Sequence, residues 1–379
     1  MTSQTRASVA RIIGRPLRAV ALALVTLGAA AAEPAPEPEA GYGFGRGLRL
    51  GDSGFTLGGY LTGEYQRRRD GRAQLRSSHA SLFFWWQGLE DRLKVFGEVD
   101  QENALVERRG PAGGQGTQDE ERLSLQRLHA DWAVGDAATL RLGKFLTPVG
   151  RWNVAHAGPL VWTTNRPLLT QSVYPRNVTG LMASGRWTLA GRAVEASFYA
   201  SQGQEWDADP RQDPFASVRG LRLLAQLDAD WQAGASWARY EQRGSRGEPR
   251  SLAGLDLLWA RHGWELQAEW LRTQARRPLP RPPGGPGSPG PGLPAAALRV
   301  EPGQGTYVQG VAPLPHALAL VARLEWLNDS AFDQAFRQQT LGLVWRPAPA
   351  LTLKVEHQWP QGRVELAPEG WTVSLSVLF

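Results

Sequence analysis

Residues 370–379 read GWTVSLSVLF. Trp371, Val373, Leu375, Val377 and Phe379 alternate with Thr372, Ser374, Ser376 and Leu378. A period of two describes a strand with one apolar and one polar face. The same pattern recurs upstream. Leu351, Leu353, Val355 and Trp359 oppose Thr352, Lys354, Glu356 and Gln358, and Leu318, Leu320, Leu324 and Trp326 oppose Arg323 and Glu325. Trp264, Leu266, Ala268 and Trp270 oppose Glu265, Gln267 and Glu269. Leu221, Leu223 and Leu227 oppose Arg222, Gln226 and Asp228, and Val194, Ala196 and Phe198 oppose Glu195 and Ser197.

Soluble sandwiches alternate too, so three further features decide the fold class. Trp187, Trp231, Trp259, Trp264, Trp345, Trp359 and Trp371 sit at strand ends, where membrane barrels carry aromatic girdles. The connections alternate in length: 88–91, 135–137, 189–191, 261–263 and 346–350 are tight, whereas 103–120, 146–176, 202–217, 241–250, 275–303 and 360–369 are long. Short periplasmic turns and long external loops characterise outer-membrane barrels. The chain also ends on a strand with a terminal Phe, as bacterial outer-membrane barrels commonly do. The expectation is an all-β transmembrane antiparallel β-barrel over residues 54–379. It would have about 16 strands, with about 14 or 18 as the neighbouring counts. Segments 72–88 and 121–134 alternate poorly and are candidates for bulges.

The N-terminus stands apart. Residues 1–32 carry Arg6, Arg11, Arg15 and Arg18, then an apolar run from Ala19 that ends in small residues at Ala32. That run is too short to span a bilayer, and the pattern is a signal peptide cleaved near Ala32. Export to the outer membrane of a Gram-negative bacterium follows. Removing residues 1–32 leaves 38 basic against 36 acidic residues. The basic isoelectric point therefore gives no ground for nucleic-acid binding. Residues 33–53 read as a flexible periplasmic lead-in, Pro- and Glu-rich at 33–40, with a glycine run at 41–47 that lacks the GxGxxG spacing of a phosphate loop. The chain has no Cys, which excludes a disulfide framework and Cys-ligated metal. Neither a cofactor nor a metal site is expected. Residues 278–294, of which 13 are Pro or Gly, read as a mobile external loop.

The third long loop, 146–176, differs from the others. From Gly143 to Gly180 there is no Asp or Glu, but there are Lys144, Arg151, His156, Arg166 and Arg176. It also carries Val149, Trp152, Val154, Leu160, Val161, Trp162, Leu168, Leu169, Val173 and Tyr174. A loop left in water gains nothing from so many apolar groups, whereas one packed on the inner wall buries them. This loop is expected to fold into the lumen, with Lys144, Arg151, His156, Arg166 and Arg176 at the constriction. The inward wall reads as mixed: Lys94, Arg141, Arg222, Arg323 and Lys354, with Glu98, Asp100, Glu195, Asp228, Glu265, Glu269, Glu325 and Glu356. Fixed positive charge in a narrow aqueous space favours anions. The alternative is that these cations pair with wall carboxylates such as Glu98 or Asp100 and hold the loop in place.

The run LRLGKFLTPVG at 140–150, followed by NRPLL at 165–169 and YPRNVTGLMASG at 174–185, resembles the phosphate-selective porin O and P family of outer-membrane porins. The likeness covers about residues 138–185, through Gly143, Lys144, Phe145, Thr147, Pro148, Gly150, Arg166, Pro167, Pro175, Arg176 and Gly180. It implies a homotrimeric, sixteen-stranded porin passing small solutes, often anions. It does not imply phosphate, because the selective members use a ladder of inward Arg and Lys that this chain lacks. The partners expected are outer-membrane lipid and lipopolysaccharide, and small anionic or polar solutes. Two other readings are a closed barrel serving as surface anchor or adhesin, and a barrel hydrolase. The second has little support: GxSxG and HExxH are absent, and the His residues lie far apart, Ser78–His79 being the nearest Ser/His pair.

Overall fold

The computed structural model describes residues 41–110, 121–155, 157–245, 247–275, 303–329, 334–361 and 369–379. Residues 1–40, His156 and segment 278–294 lie outside them. Nineteen strands form one sheet. Three are short: β1 (Gly41–Gly43), β2 (Gly47–Arg49) and β6 (Val106–Arg109). The first half of the wall is β3 (Phe55–Arg68), β4 (Ala73–Gly88), β5 (Leu93–Glu102), β7 (Arg122–Ala133), β8 (Ala138–Leu146), β9 (Asn177–Leu189), β10 (Arg192–Gln202) and β11 (Phe215–Gln226). The second half is β12 (Trp231–Gln242), β13 (Arg250–Arg261), β14 (Trp264–Ala275), β15 (Gly303–Leu314), β16 (Leu318–Asp329), β17 (Gln334–Ala348), β18 (Leu351–Gln361) and β19 (Gly370–Leu378). These are the 16 strands of a closed antiparallel barrel.

Closure is made by the C-terminal strand. β19 pairs with β3 from Gly370↔Arg68 to Leu378↔Tyr60. Phe379 and Gly59 then exchange two main-chain hydrogen bonds at 2.9 Å. Gly59 is required there, since a Cβ would lie 2.6 Å from the Phe379 ring and 2.4 Å from Ser81 O. Closing the sheet removes the unpaired edge that would otherwise meet lipid.

The two poorly alternating segments do hold bulges. The β3/β4 register jumps between Thr62 and Gly63, leaving Ser78 as an extra residue, and the β5/β7 register jumps at Glu98/Val99, leaving Gln126 extra. Each bulge breaks the period of two that the sequence would otherwise show. Several short turns place both central residues at positive φ: Ala190 (50°) and Gly191 (74°), His262 (49°) and Gly263 (86°), His316 (61°) and Ala317 (62°). That geometry matches the twist of two antiparallel strands. Residues 41–49, expected to be a flexible lead-in, instead form a hairpin: β1 pairs with β2 and β2 with β3. Gly47, at φ 83°, lies so near Leu57 that a Cβ would sit 2.2 Å from its carbonyl oxygen.

Burial runs inside out. Leu82 and Leu142 are 63% and 64% exposed, whereas Arg323 and Gln309 are fully buried. Water-soluble folds do the reverse. An apolar outer band over a polar interior is what a barrel in lipid requires.

Candidate functional site

The loop between β8 and β9 folds into the lumen and carries one short helix, α1 (Leu168–Ser172). Its apolar side packs on the inner wall. Val149, Leu168, Leu169, Val173 and Tyr174 are buried with Phe145, Tyr199, Tyr240, Leu252, Leu271, Tyr307, Leu327 and Phe336. Burial favours the docked loop by roughly 1.5–3 kcal/mol per large apolar side chain. The neck is tied by Thr147, whose N–H donates to Arg176 O at 2.8 Å and whose Oγ1 donates to Pro175 O at 2.7 Å. Asn153 Nδ2 adds bonds to both Thr147 O and Arg176 O.

The lack of acid in the loop has a structural cause. The wall of β12 to β19 supplies carboxylates that accept from the loop's N–H groups. Glu269 accepts from the main-chain N–H of Arg151 and Trp152 at 2.9 and 2.8 Å. Glu356 accepts from Thr164 N, Asn165 N and Asn165 Nδ2 at 3.0, 3.2 and 2.5 Å. Glu325 takes Leu168 N at 2.6 Å, and Glu265 takes Trp162 Nε1 at 3.0 Å. Wall cations satisfy the loop's oxygens. Arg323 donates to Thr163 Oγ1 and Asn165 O, Lys354 to Gly158 O, and Arg346 to Leu160 O and Val161 O while stacking on Trp162. A carboxylate in the loop would meet these wall acids, and the like-charge contact would oppose docking.

Other wall charges form cross-strand pairs. Glu64 pairs with Arg76 at 2.7 Å, Asp100 with His79 at 2.6 Å, Glu98 with Arg127 at 2.5 Å, Asp131 with Arg141 at 2.6 Å, and Glu195 with Arg186 at 3.1 Å. Arg222 pairs with Asp256. Of the expected wall residues, Glu98, Asp100 and Arg141 therefore belong to pairs, Arg222 shares Asp256 with the loop's Arg151, and Arg323 and Lys354 anchor the loop. Lys94 faces Asp131 in the register, but that carboxylate is held by Arg141. Ser78 Oγ donates to Thr62 O and not to His79.

The loop cations separate into three kinds. Lys144 is buried at 3% exposure and shares the outward face of Leu142, opposite Leu128 and Thr179. Its Nζ donates to Trp206 O and Asp207 O at 2.7 and 2.8 Å and pairs with Glu205 at 3.1 Å. Lys144 thus pins the 203–214 loop over the strand ends and does not face the lumen, contrary to the expectation for it. The register explains this, because a one-residue offset from Gly143 places a side chain on the opposite face. Arg151 pairs with Asp256 at 2.7 Å and donates to Gln232; it is a tether. Arg166 and Arg176 are different. Among the described residues neither has a carboxylate within 4.0 Å, whereas Arg151 does. Arg166 donates to Asn153 Oδ1 at 3.0 Å. Burial, with Arg176 beside it, pushes the Arg166 guanidinium down to about 9, so it stays charged at neutral pH.

Sequence reasoning missed the 203–214 loop. Asp207 Oδ2 accepts from Leu125 N at 2.6 Å, and Arg122 pairs with Asp209 at 2.9 Å. Burial raises Asp209, but hydrogen bonds and charge from Arg211 outweigh it and bring the carboxyl down to about 2. Burial lifts Glu205 to about 7 despite Lys144. A loop holding Glu205, Asp207, Asp209, Arg211 and Asp213 reads as solvated from composition alone, and only the packing shows otherwise.

Solved structures of the same architecture are porins from Gram-negative bacteria. Salmonella typhi OmpF, solved with daunomycin, superposes with a TM-score of 0.59 at 10% identity, over 87% of this chain and 99% of that one. The fold is the porin fold. An anion-selective porin from Comamonas acidovorans matches with a TM-score of 0.55 at 13% identity, over 86% of this chain and 98% of that one. Vibrio cholerae OmpT, an outer-membrane protein in a trimer form, matches at 0.55 and 10% identity, over 86% and 99%. No protein-family model and no curated protein matches the sequence. At these identities the likeness is one of fold.

Proposed function

We propose that this protein is an outer-membrane porin, a passive diffusion channel for small hydrophilic solutes, with an anion preference set by Arg166 and Arg176. One observation carries the reading: among the described residues these two cations have no carboxylate within 4.0 Å, whereas many lumen charges around them form ion pairs or hold the loop. Matched pairs largely cancel beyond their own separation, so the net field in the narrow region comes from the unmatched groups. The resemblance of 138–185 to the phosphate-selective porin O and P family, and the fold shared with an anion-selective porin, support it. Residues 1–32 are the export signal on this reading, and the assembly is a homotrimer surrounded by lipopolysaccharide.

Reversal potentials in planar bilayers under a salt gradient test the proposal. The parent should lie on the anion side, and the double variant Arg166→Gln/Arg176→Gln should move toward zero. A cation-selective parent would sink it. Complete absence of conductance would favour the closed anchor, a reading motivated by the long loops.

A further inference from the structure

We infer that the outward face of β11–β14, at its long-loop end, docks the phosphate groups of an outer-leaflet glycolipid through Arg219, Arg239 and Arg272. The inference rests on the outer-membrane reading. Arg219 and Arg239 stand directly opposite one another in the β11/β12 register. Both are exposed and share the outward face of Leu223 and Trp237, opposite to the inward Arg222 and Ser236. Two like charges across a strand pair repel unless an anion lies between them. Neither guanidinium has a carboxylate within ion-pair distance among the described residues. Glu241, two residues along β12, accepts instead from Gly247 N at 3.3 Å.

Two strands further on, Arg272 occupies the same outward face, next to exposed Trp270. Its guanidinium lies beside the Gln274 side-chain amide, whose oxygen, with the amide turned over, accepts at 2.8 and 3.0 Å. Between the arginines, β13 turns only the small Ser251 and Ala253 outward, opposite Arg239 and Arg272 respectively. The result is a shallow floor rimmed by three cations on the loop side and by Trp237 and Trp270 on the membrane side. Tryptophans mark the headgroup level, and a cation deeper in the hydrocarbon would be costly. Guanidinium groups bind phosphate oxygens in a bidentate manner. By contrast, outward Arg261, at the short-turn end of the same arc, has Asp230 at 3.7 Å.

The test uses the full mature chain in phosphatidylcholine nanodiscs, titrated by native mass spectrometry with diphosphorylated lipid A or with the same glycolipid stripped of phosphate. The parent should retain the phosphorylated form selectively. Arg219→Gln/Arg239→Gln should weaken that binding at least about tenfold, and Arg219→Lys/Arg239→Lys should lose less. Equal retention of the stripped glycolipid by the parent would overturn the inference. So would unchanged binding in the Gln variant, or complete displacement by inorganic phosphate, which would mark a free-anion site. Bilayer conductance of the Gln variant should match the parent, because these side chains face away from the lumen. A parent that binds the glycolipid but does not conduct would refute the channel and leave this site standing.

Discussion

Replacing Glu356 by Ala should release the middle of the lumen loop while leaving the barrel intact. Glu356 is the acceptor for three donors, Thr164 N, Asn165 N and Asn165 Nδ2. An unpaired buried donor costs about 1–3 kcal/mol. Thr164 and Asn165 are only half-buried, so water recovers part of that loss, and the two main-chain donors together cost about 2–4 kcal/mol. At about 1.4 kcal/mol per factor of ten, the released state should become roughly 30- to 1,000-fold more populated. The β17/β18 and β18/β19 ladders are main-chain bonds, so the heat-modifiable migration of the folded barrel should not change. The chain has no Cys, which makes Leu160→Cys a clean reporter. Its rate of reaction with a charged, impermeant maleimide should rise by that factor in the Glu356→Ala background, and single-channel steps should enlarge. Glu356→Gln, which keeps one acceptor oxygen, should fall between. If thiol reactivity and conductance both match the parent, the wall carboxylates are not what holds the loop.

Other outcomes follow from single contacts. Leu169→Ala, which removes a fully buried side chain of α1 from the cluster with Tyr174 and Leu271, should loosen the loop by about 2–5 kcal/mol, seen as faster proteolysis within 147–176 at unchanged barrel stability. Gly59→Ala should lower the midpoint of heat-modifiable unfolding, because its Cβ would enter the Phe379 ring; Gly63→Ala, where a Cβ meets nothing within 4 Å, should not. Glu205 has a folded value of about 7, above its ordinary 4.5. Its contribution to docking of the 203–214 loop is thus full below about 4.5 and is lost as pH rises through 7. Protease protection of that loop should therefore weaken between pH 5 and pH 8 on the order of tenfold or more, and Glu205→Gln should flatten the profile.

Legibility differed between wall and loop. The strands were readable because each keeps one face in lipid and one toward polar surroundings, so residues such as Leu351 to Gln358 carry the period of two unaided. Where Ser78 and Gln126 add a residue, the alternation breaks and only the pairing restores it. That the 147–176 loop turns inward was also legible, because its apolar content has no use in water. What its charges do was not. Arg151, Arg166 and Arg176 look equivalent in sequence, yet Asp256 takes the first and no described carboxylate lies within 4.0 Å of the other two.

The sequence by itself determined the barrel, its terminal strand, and the loop that folds inward. Those properties depend on local periodicity and on composition summed along short segments. The tertiary structure alone decided which cations are tied to a carboxylate. Lys144 was assigned to the constriction by its neighbours in the chain, and the register moved it to the outward face under Glu205. Glu269, Glu325 and Glu356 read as pore-lining charges, and the folded loop made them its anchors. A charge exerts a field only where nothing opposite neutralises it. For Arg151 that opposite is Asp256, more than a hundred residues away in the chain.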